Sequence, residues 1–202
     1  KGWGRKLSGY RAIFYAYIFN SKFILMEDGF IRSCGLGDSS SFSVVEDDIG
    51  IYYDANRPSR LEEICNSYDF RNDKELLNIS QEALNLIRRN KISKYNNTDR
   101  SKIETFGDRK KNILVIAQNK DDLSLKYGYA NMFKTINIVD VAIKENPESN
   151  VFLKVHPDVI FGKKKSDISI KSLPKNCKVI YENINPISLL ENFSKVYTKT
   201  SQ

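Results

Sequence analysis

From Ile113 to Ala117 the chain reads Ile-Leu-Val-Ile-Ala, an apolar run with no polar residue alternating through it. A strand with one face in water alternates polar and apolar residues. A continuous run belongs to a strand buried on both faces, which occurs where helices cover both sides of a parallel sheet. The residues downstream agree with that reading. Residues 131–145 carry helical periodicity through Phe133, Ile136, Val139 and Ile143. Val151–Val155 and Val179–Tyr181 read as strands, Pro186–Phe193 as a helix, and Lys195–Thr200 as a last strand. Regular alternation of strand and helix predicts βαβ units and a doubly wound α/β sheet.

The N-terminal half carries the same kinds of signal less densely. Lys1 to Lys6 reads as a basic, aromatic loop opening a helix over 7–19, with a short buried strand at 22–26 after it. Phe42–Glu46 and Gly50–Tyr53 are β-prone runs. Ser59 with Glu62 three residues on is a capping box for a helix to about Tyr68. Asn72/Asp73 opens another helix, with Leu76, Ile79, Ala83 and Ile87 on one face. Residues 92–111 are polar. The predicted organisation is an N-terminal Rossmann-like lobe over 1–95, a linker over 96–111 and a C-terminal Rossmann-like lobe over 112–202. A cleft between the lobes is the expected site.

Charge narrows the partners. The chain carries 32 Lys and Arg against 25 Asp and Glu, a formal net charge of +7, which favours anionic partners such as nucleotides or an acidic membrane surface. The basic residues are spread along the chain and no recognition motif accompanies them, so nucleic acid is not an expected partner. Cys34, Cys65 and Cys177 are odd in number and far apart, fitting neither a disulfide framework nor a zinc site. Ala12 to Phe19 is the most apolar stretch. It is too short to cross a bilayer and is expected to be a buried helix. Lys1 and Gln202 both read as internal to a longer polypeptide.

Four segments carry chemistry. Glu27-Asp28-Gly29-Phe30-Ile31-Arg32-Ser33-Cys34-Gly35-Leu36-Gly37 brings two carboxylates, a cation and three glycines to the end of the strand at 22–26, where α/β sheets bind ligands. Gln118-Asn119-Lys120-Asp121-Asp122-Leu123-Ser124 follows the run at 112–117 in the same way. A carboxylate beside a lysine can serve as nucleophile or base. Asp121 and Asp122 are consecutive, so one of them points inward. Lys154-Val155-His156-Pro157-Asp158 holds the sole histidine of the chain. Lys154 and His156 alternate onto one side, a cation pair suited to phosphate. Thr200 and Ser201 place two hydroxyls at the end of the last strand.

Together these segments resemble the bacterial capsule polysaccharide biosynthesis proteins of the KpsC/LipB type. The resemblance begins at Gly2-Trp3-Gly4-Arg5-Lys6 and takes in the Glu27 to Gly37 loop, Ser43-Val44-Val45 and Gly50-Ile51-Tyr52-Tyr53-Asp54-Ala55. It continues through Pro58-Ser59, Leu61-Glu62, Ser93-Lys94-Tyr95-Asn96, Asp121-Asp122-x-Ser124, Lys154-Val155-His156-Pro157-Asp158-Val159 and Thr200-Ser201-Gln202. It implies a GT-B-like retaining glycosyltransferase that moves Kdo from CMP-β-Kdo onto a lipid-linked Kdo acceptor. The product is the β-Kdo linker between a capsular polysaccharide and its phosphatidylglycerol-type anchor. No metal or other cofactor is implied. The place of work is the cytoplasmic face of the bacterial inner membrane, with a peripheral, charge-driven hold on its anionic surface.

The resemblance also implies roles. Asp122 matches the family's nucleophile, with Asp121 beside it. Glu27 is expected to be the base that activates the acceptor, and Asp28 either shares the chemistry or orients Arg32. Arg32 takes no role from the resemblance; as a cation in this loop it is expected to meet the Kdo carboxylate, with Ser33 and Arg5 also on the substrate. Lys154 and His156 are expected to take the CMP phosphate, helped by Thr200 and Ser201. A GT-B-shaped domain without transferase activity, acting in capsule assembly, is the rival reading.

Overall fold

A computed structural model describes residues 1–35, 39–98, 106–160, 162 and 164–200. The chain divides into two compact units, Lys1–Asn97 and Thr98–Gln202.

The first unit is built on three strands, β1 (Gly2–Trp3), β2 (Leu25–Asp28) and β3 (Val44–Asp47), in the order β1-β2-β3. β1 runs parallel to β2, and β3 antiparallel to it. Helix α1 (Leu7–Ile18) joins β1 to β2. Two expectations are corrected here. The Gly-Trp stretch is a strand, not loop, because Gly2 and Gly4 donate to the carbonyls of Ile24 and Met26. The strand after α1 begins at Leu25, so Glu27 and Asp28 are its last residues and not the loop beyond it.

Gly50–Tyr53 is a turn. Buried Asp47 takes the amides of Ile49 (2.9 Å), Gly50 (2.7 Å) and Arg60 (2.9 Å). Those bonds fold the segment back and leave it no edge to pair with, while Ile51 is fully buried beneath it. Helix α2 (Arg60–Ser67) starts where the capping box places it, with Ser59 Oγ accepting the Glu62 amide at 3.1 Å. Helix α3 (Lys74–Arg89) is capped by Asp73 on the Leu76 amide at 2.8 Å.

The second unit holds four parallel strands, β4 (Asn112–Ile116), β5 (Asn150–Lys154), β6 (Cys177–Ile180) and β7 (Lys195–Tyr197), in the order β6-β5-β4-β7. This is the 3-2-1-4 order of a doubly wound sheet, with its switch point between the first strand and the fourth. The helices are α4 (Leu123–Tyr127), α5 (Thr135–Glu145), α6 (Pro157–Ile160) and α7 (Pro186–Leu190).

Successive residues of β4 face opposite sides, and both sides are covered, as a continuous apolar run requires. Ile113, Val115 and Ala117 pack with Val151, Leu153 and α5 residues Val139 and Ala142. Leu114 packs with Phe152, Ile180 and α7 residue Leu189 on the other side. Phe106 closes that second core against Phe152 and Phe193 at ring-centroid distances of 5.5 Å. Helices α4 and α6 were not legible in the sequence. Both are one turn long and show no periodicity.

Candidate active site

In the first unit the site grows from the ends of β1 and β2. Trp3 Nε1 donates to Glu27 Oε1 at 3.1 Å, and the Tyr53 hydroxyl makes a second hydrogen bond to the same carboxylate. Tyr53 in turn accepts the Arg5 amide at 3.0 Å. Burial pushes the Tyr53 phenol far above the usual range and the negative charge of Glu27 adds to this, outweighing the Arg5 amide. Tyr53 therefore stays protonated and keeps its donor on Glu27. Gly4 is required for this approach. A methyl group there would lie 2.3 Å from Tyr53 Oη and 2.8 Å from Glu27 Oε2, and its φ of +34° already favours glycine. The sequence put Glu27 at the centre of the site but gave Trp3 and Tyr53 no part in holding it.

Asp28 faces away from Glu27, as adjacent strand residues do. Its Oδ2 pairs with Arg32 Nε at 2.8 Å, an ion pair without good hydrogen-bond alignment. Arg32 also donates from one terminal nitrogen to Ser33 Oγ (3.1 Å) and Ser39 Oγ (3.3 Å). Ser33 is 1% exposed, and its hydroxyl donates to the Gly35 carbonyl at 2.7 Å. The loop is held by Lys94 and Tyr95, whose carbonyls take the amides of Arg32 (2.8 Å), Ser33 (3.1 Å) and Gly35 (2.7 Å). Of the glycine-rich motif, Leu36 and Gly37 lie outside the described residues. Arg5 was expected on the substrate. The structure buries it against Asp54, with both side chains almost fully covered, so its charge is spent on holding Asp54 beneath the turn.

In the second unit the site residues collect at the carboxyl ends of β4, β5 and β7. Asp121 is exposed and Asp122 is half-buried at the N-cap of α4. Asp122 Oδ1 accepts both the amide (2.9 Å) and the hydroxyl (2.8 Å) of Ser124. The Ser124 hydroxyl meets Thr200 Oγ1 at 2.7 Å. Gln118 clasps Thr200 twice, Nε2 to Oγ1 at 2.8 Å and the Thr200 amide to Oε1 at 3.0 Å. This chain of bonds ties the end of β4 to the end of β7, across the switch point. Gln118 and Ser124 stood in the motif without a role. Their function depends on which strands become neighbours, which spacing does not show.

Lys154 ends β5 with its side chain buried, and Nζ donates to the Val155 carbonyl at 2.9 Å. Burial lowers its pKa from 10.5 to about 8, with Glu182 pulling weakly the other way. His156 is also lowered, by burial first, against the opposing charges of Asp158 and Asp122. Its Nδ1 accepts the Asp158 amide at 3.1 Å, which puts the imidazole proton on Nε2. The expected pair of cations is thus one cation, Lys154, beside a neutral imidazole. Burial makes the difference, since a second charge would have to be desolvated next to the first. Ser201 lies outside the described residues. Lys199, unassigned in the sequence, is buried on Asp167 at 2.9 Å, and Asp167 also takes the amide and hydroxyl of Thr135.

Comparison with known proteins gives the family. The family described as "Capsule polysaccharide biosynthesis protein" matches residues 2–202. The chain belongs to that family. It is 37% identical over 206 residues to the capsule polysaccharide modification protein LipA of Neisseria meningitidis serogroup B, covering all of this chain and 29% of that protein. The lipopolysaccharide-processing protein LpsZ of Rhizobium meliloti is 33% identical over 180 residues, covering 87% of this chain and 41% of LpsZ. The chain therefore spans well under half the length of either relative. Among solved structures, the KpsC β-Kdo 2,4 transferase of Thermosulfurimonas dismutans superposes with a TM-score of 0.87 at 38% identity. The match covers all of this chain and 63% of that one. The β-Kdo 2,7 transferase of the same organism gives 0.66 at 30% identity, over 98% of this chain and 57% of that one. The fold is that of the family's transferases, α/β and GT-B-like. Among the described residues no helix is long and apolar enough to cross a membrane.

Proposed function

We propose that this chain is part of a retaining transferase that moves Kdo from CMP-β-Kdo to a lipid-linked Kdo acceptor, building the β-Kdo linker of a capsular polysaccharide at the inner face of the bacterial inner membrane. Membership of a family with named Kdo transferases supports the reaction class. One observation carries the assignment of the nucleophile. Ser124 pins Asp122 Oδ1 from two donors. Among the described residues Oδ2 accepts no hydrogen bond, and the carboxylate is close enough to His156 to act on its charge.

The chemistry runs in two displacements. Asp122 Oδ2 attacks the anomeric carbon, the bond to the CMP phosphate oxygen breaks, and CMP leaves with the electron pair. Lys154 offsets the phosphate charge and His156 Nε2–H donates to it, electrostatic help that requires no metal. Glu27 then takes the proton of the acceptor hydroxyl. The acceptor oxygen bonds to the anomeric carbon as the ester to Asp122 breaks and frees its carboxylate. Two inversions leave the configuration retained. Arg32, steered by Asp28, is assigned to the sugar carboxylate.

The test is intact-protein mass spectrometry of the full-length polypeptide after addition of CMP-Kdo. Glu27→Gln is expected to accumulate a Kdo-sized adduct on the peptide carrying Asp122, because the second displacement lacks its base. Asp122→Asn is expected to bind CMP with unchanged affinity, form no adduct and give no product. An adduct on Asp121 would move the nucleophile by one residue. Product formation without an adduct in any variant would end the double-displacement reading.

A further inference from the structure

Gln118 and Thr200 each lie three residues beyond Val115 and Tyr197, which are partners in the β4–β7 ladder. Where the ladder stops, a side chain takes over from the backbone. The Thr200 amide donates to Gln118 Oε1 at 3.0 Å, and Gln118 Nε2 donates to Thr200 Oγ1 at 2.8 Å. Gln118 is only 4% exposed, so both ends of its amide need partners, and these two bonds supply them. They also fix which way the amide points. A backbone N–H only donates, so the Gln118 atom facing it is the oxygen and the atom facing the hydroxyl is the nitrogen.

That orientation orders every proton after it. Thr200 Oγ1 accepts from Gln118, and its own proton is left for Ser124 Oγ, 2.7 Å away. Ser124 gives its single hydroxyl proton to Asp122 Oδ1 at 2.8 Å, so in the contact between the two hydroxyls Thr200 is the donor. Each group therefore donates to the next, from Gln118 to Thr200 to Ser124 to Asp122. A nucleophilic carboxylate has no proton to return, so the chain runs one way. Hydrogen bonds ordered like this polarise one another.

We propose that Gln118 and Thr200 are positioning residues for the nucleophile, ordering a one-way chain of hydrogen bonds that holds Asp122 by Oδ1 and presents Oδ2 to the anomeric carbon. The inference rests on the assignment of Asp122 made above and extends it to residues that touch neither sugar nor nucleotide. It also moves Thr200 out of the phosphate site. Phosphate oxygens need donors, and the one proton of the Thr200 hydroxyl is committed to Ser124. No proton changes place along the chain during the first displacement. Each stays on its own atom while Oδ2 bonds to the anomeric carbon and CMP leaves with the electron pair. Turning the Gln118 amide over would set two donors face to face at the Thr200 amide and draw the Thr200 proton away from Ser124. Asp122 would then be held less firmly, although no bond to the substrate had been touched.

The experiment uses the full-length polypeptide carrying Glu27→Gln, with CMP-Kdo as donor and rapid quenching before intact-protein mass spectrometry to time the adduct. Gln118→Met and Thr200→Val, each close to the native side chain in shape, are expected to slow adduct formation at saturating donor by roughly ten- to a hundredfold. The donor concentration giving half the maximal rate, and CMP affinity by calorimetry, are expected to stay within about twofold. Both substitutions together are expected to slow the step no further than the slower one alone, because they cut the same chain. Thr200→Ser restores the hydroxyl and is expected to recover most of the rate. Thr200→Val carries the test by itself if Gln118→Met does not fold. Adduct formed at full speed in both variants would overturn the proposal and leave Asp122 as the nucleophile. Effects that multiply in the double variant would overturn it by showing two independent roles. Loss of CMP affinity in Thr200→Val would return that hydroxyl to the phosphate and overturn it as well. No adduct in the Glu27→Gln parent would be the failure of the double-displacement reading itself, and the positioning roles would fall with it.

Discussion

At the scale of single residues the candidate groups of each unit have had their freedom removed. Glu27 is held from Trp3 and Tyr53, Asp122 from Ser124, and Thr200 from Gln118. Lys154 is the exception, a buried cation that among the described residues donates to a neighbouring carbonyl and is not held by a carboxylate hydrogen bond. Its pKa of about 8 in the fold against 10.5 corresponds to roughly 3 kcal/mol of penalty on the charged form. Below about pH 8 the lysine is charged in both folded and unfolded chains, and the penalty is carried in full. Between about 8 and 10.5 the unfolded chain holds the proton that the folded chain has released, so stability rises with pH. Lys154→Met, similar in volume and uncharged, is expected to be more stable than wild type near neutral pH, with the gap closing as pH rises through that window. Urea unfolding of both proteins across it is the measurement. A gap independent of pH would refute the buried-cation account. Glu27, Asp122, Lys154 and His156 could be picked out from the chain as candidates, because a carboxylate or cation at the end of an apolar run is already unusual. Their protonation and partners could not, since these depend on burial and on neighbours distant in sequence.

At the scale of elements the local signals were good where a side chain caps its own helix. Ser59 and Asp73 start α2 and α3 where expected, because an N-cap is a bond between residues three apart. They failed where the partner is remote. The segment after Asp47 has β-prone residues, yet Asp47 takes three amides and makes a turn of it. Helix α1 shows the same limit in another form. Composition predicted a helix and implied that its apolar residues lie inside, but the residues it buries fully are two small ones, Gly9 and Ala16. Gly9 is the decisive one, since a methyl group there would stand 2.0 Å from the Gly4 carbonyl oxygen and 2.9 Å from that of Trp3. Replacing glycine by alanine inside a helix ordinarily gains about 1 kcal/mol. Gly9→Ala is expected to lose about 1–3 kcal/mol instead, because the added atom meets backbone that cannot rotate away. A stabilised Gly9→Ala variant in urea unfolding would show that α1 does not pack this closely on β1.

At the scale of the whole molecule the two units bury their apolar residues very differently. The parallel sheet of the second unit has a core on each face, and Leu153 is completely inside it. Leu153→Ala is expected to cost about 2–5 kcal/mol, a large part of the 5–15 kcal/mol that typically holds a domain folded. In the first unit α2 and α3 bury none of their residues, and Leu84→Ala on α3 is expected to cost less than about 0.5 kcal/mol. Denaturant unfolding followed by circular dichroism compares the two, and similar costs would contradict the burial described. The same contrast separates what the sequence determined from what the tertiary structure decided. The run at 112–117, with the strand–helix alternation after it, specified a strand buried on both faces and with it the α/β class, because such a strand keeps five consecutive apolar side chains from water. The motifs specified the family, because their residue types and spacings are dense enough to be recognised without a fold. Pairing was decided only in three dimensions. The chain does not state that β7 crosses back to lie beside β4, and that crossing is what sets Thr200 against Gln118 and Ser124 and so fixes Asp122. Nor does it state which side of α1 meets the sheet, because hydrophobicity says how strongly a residue avoids water while close packing decides which residues can.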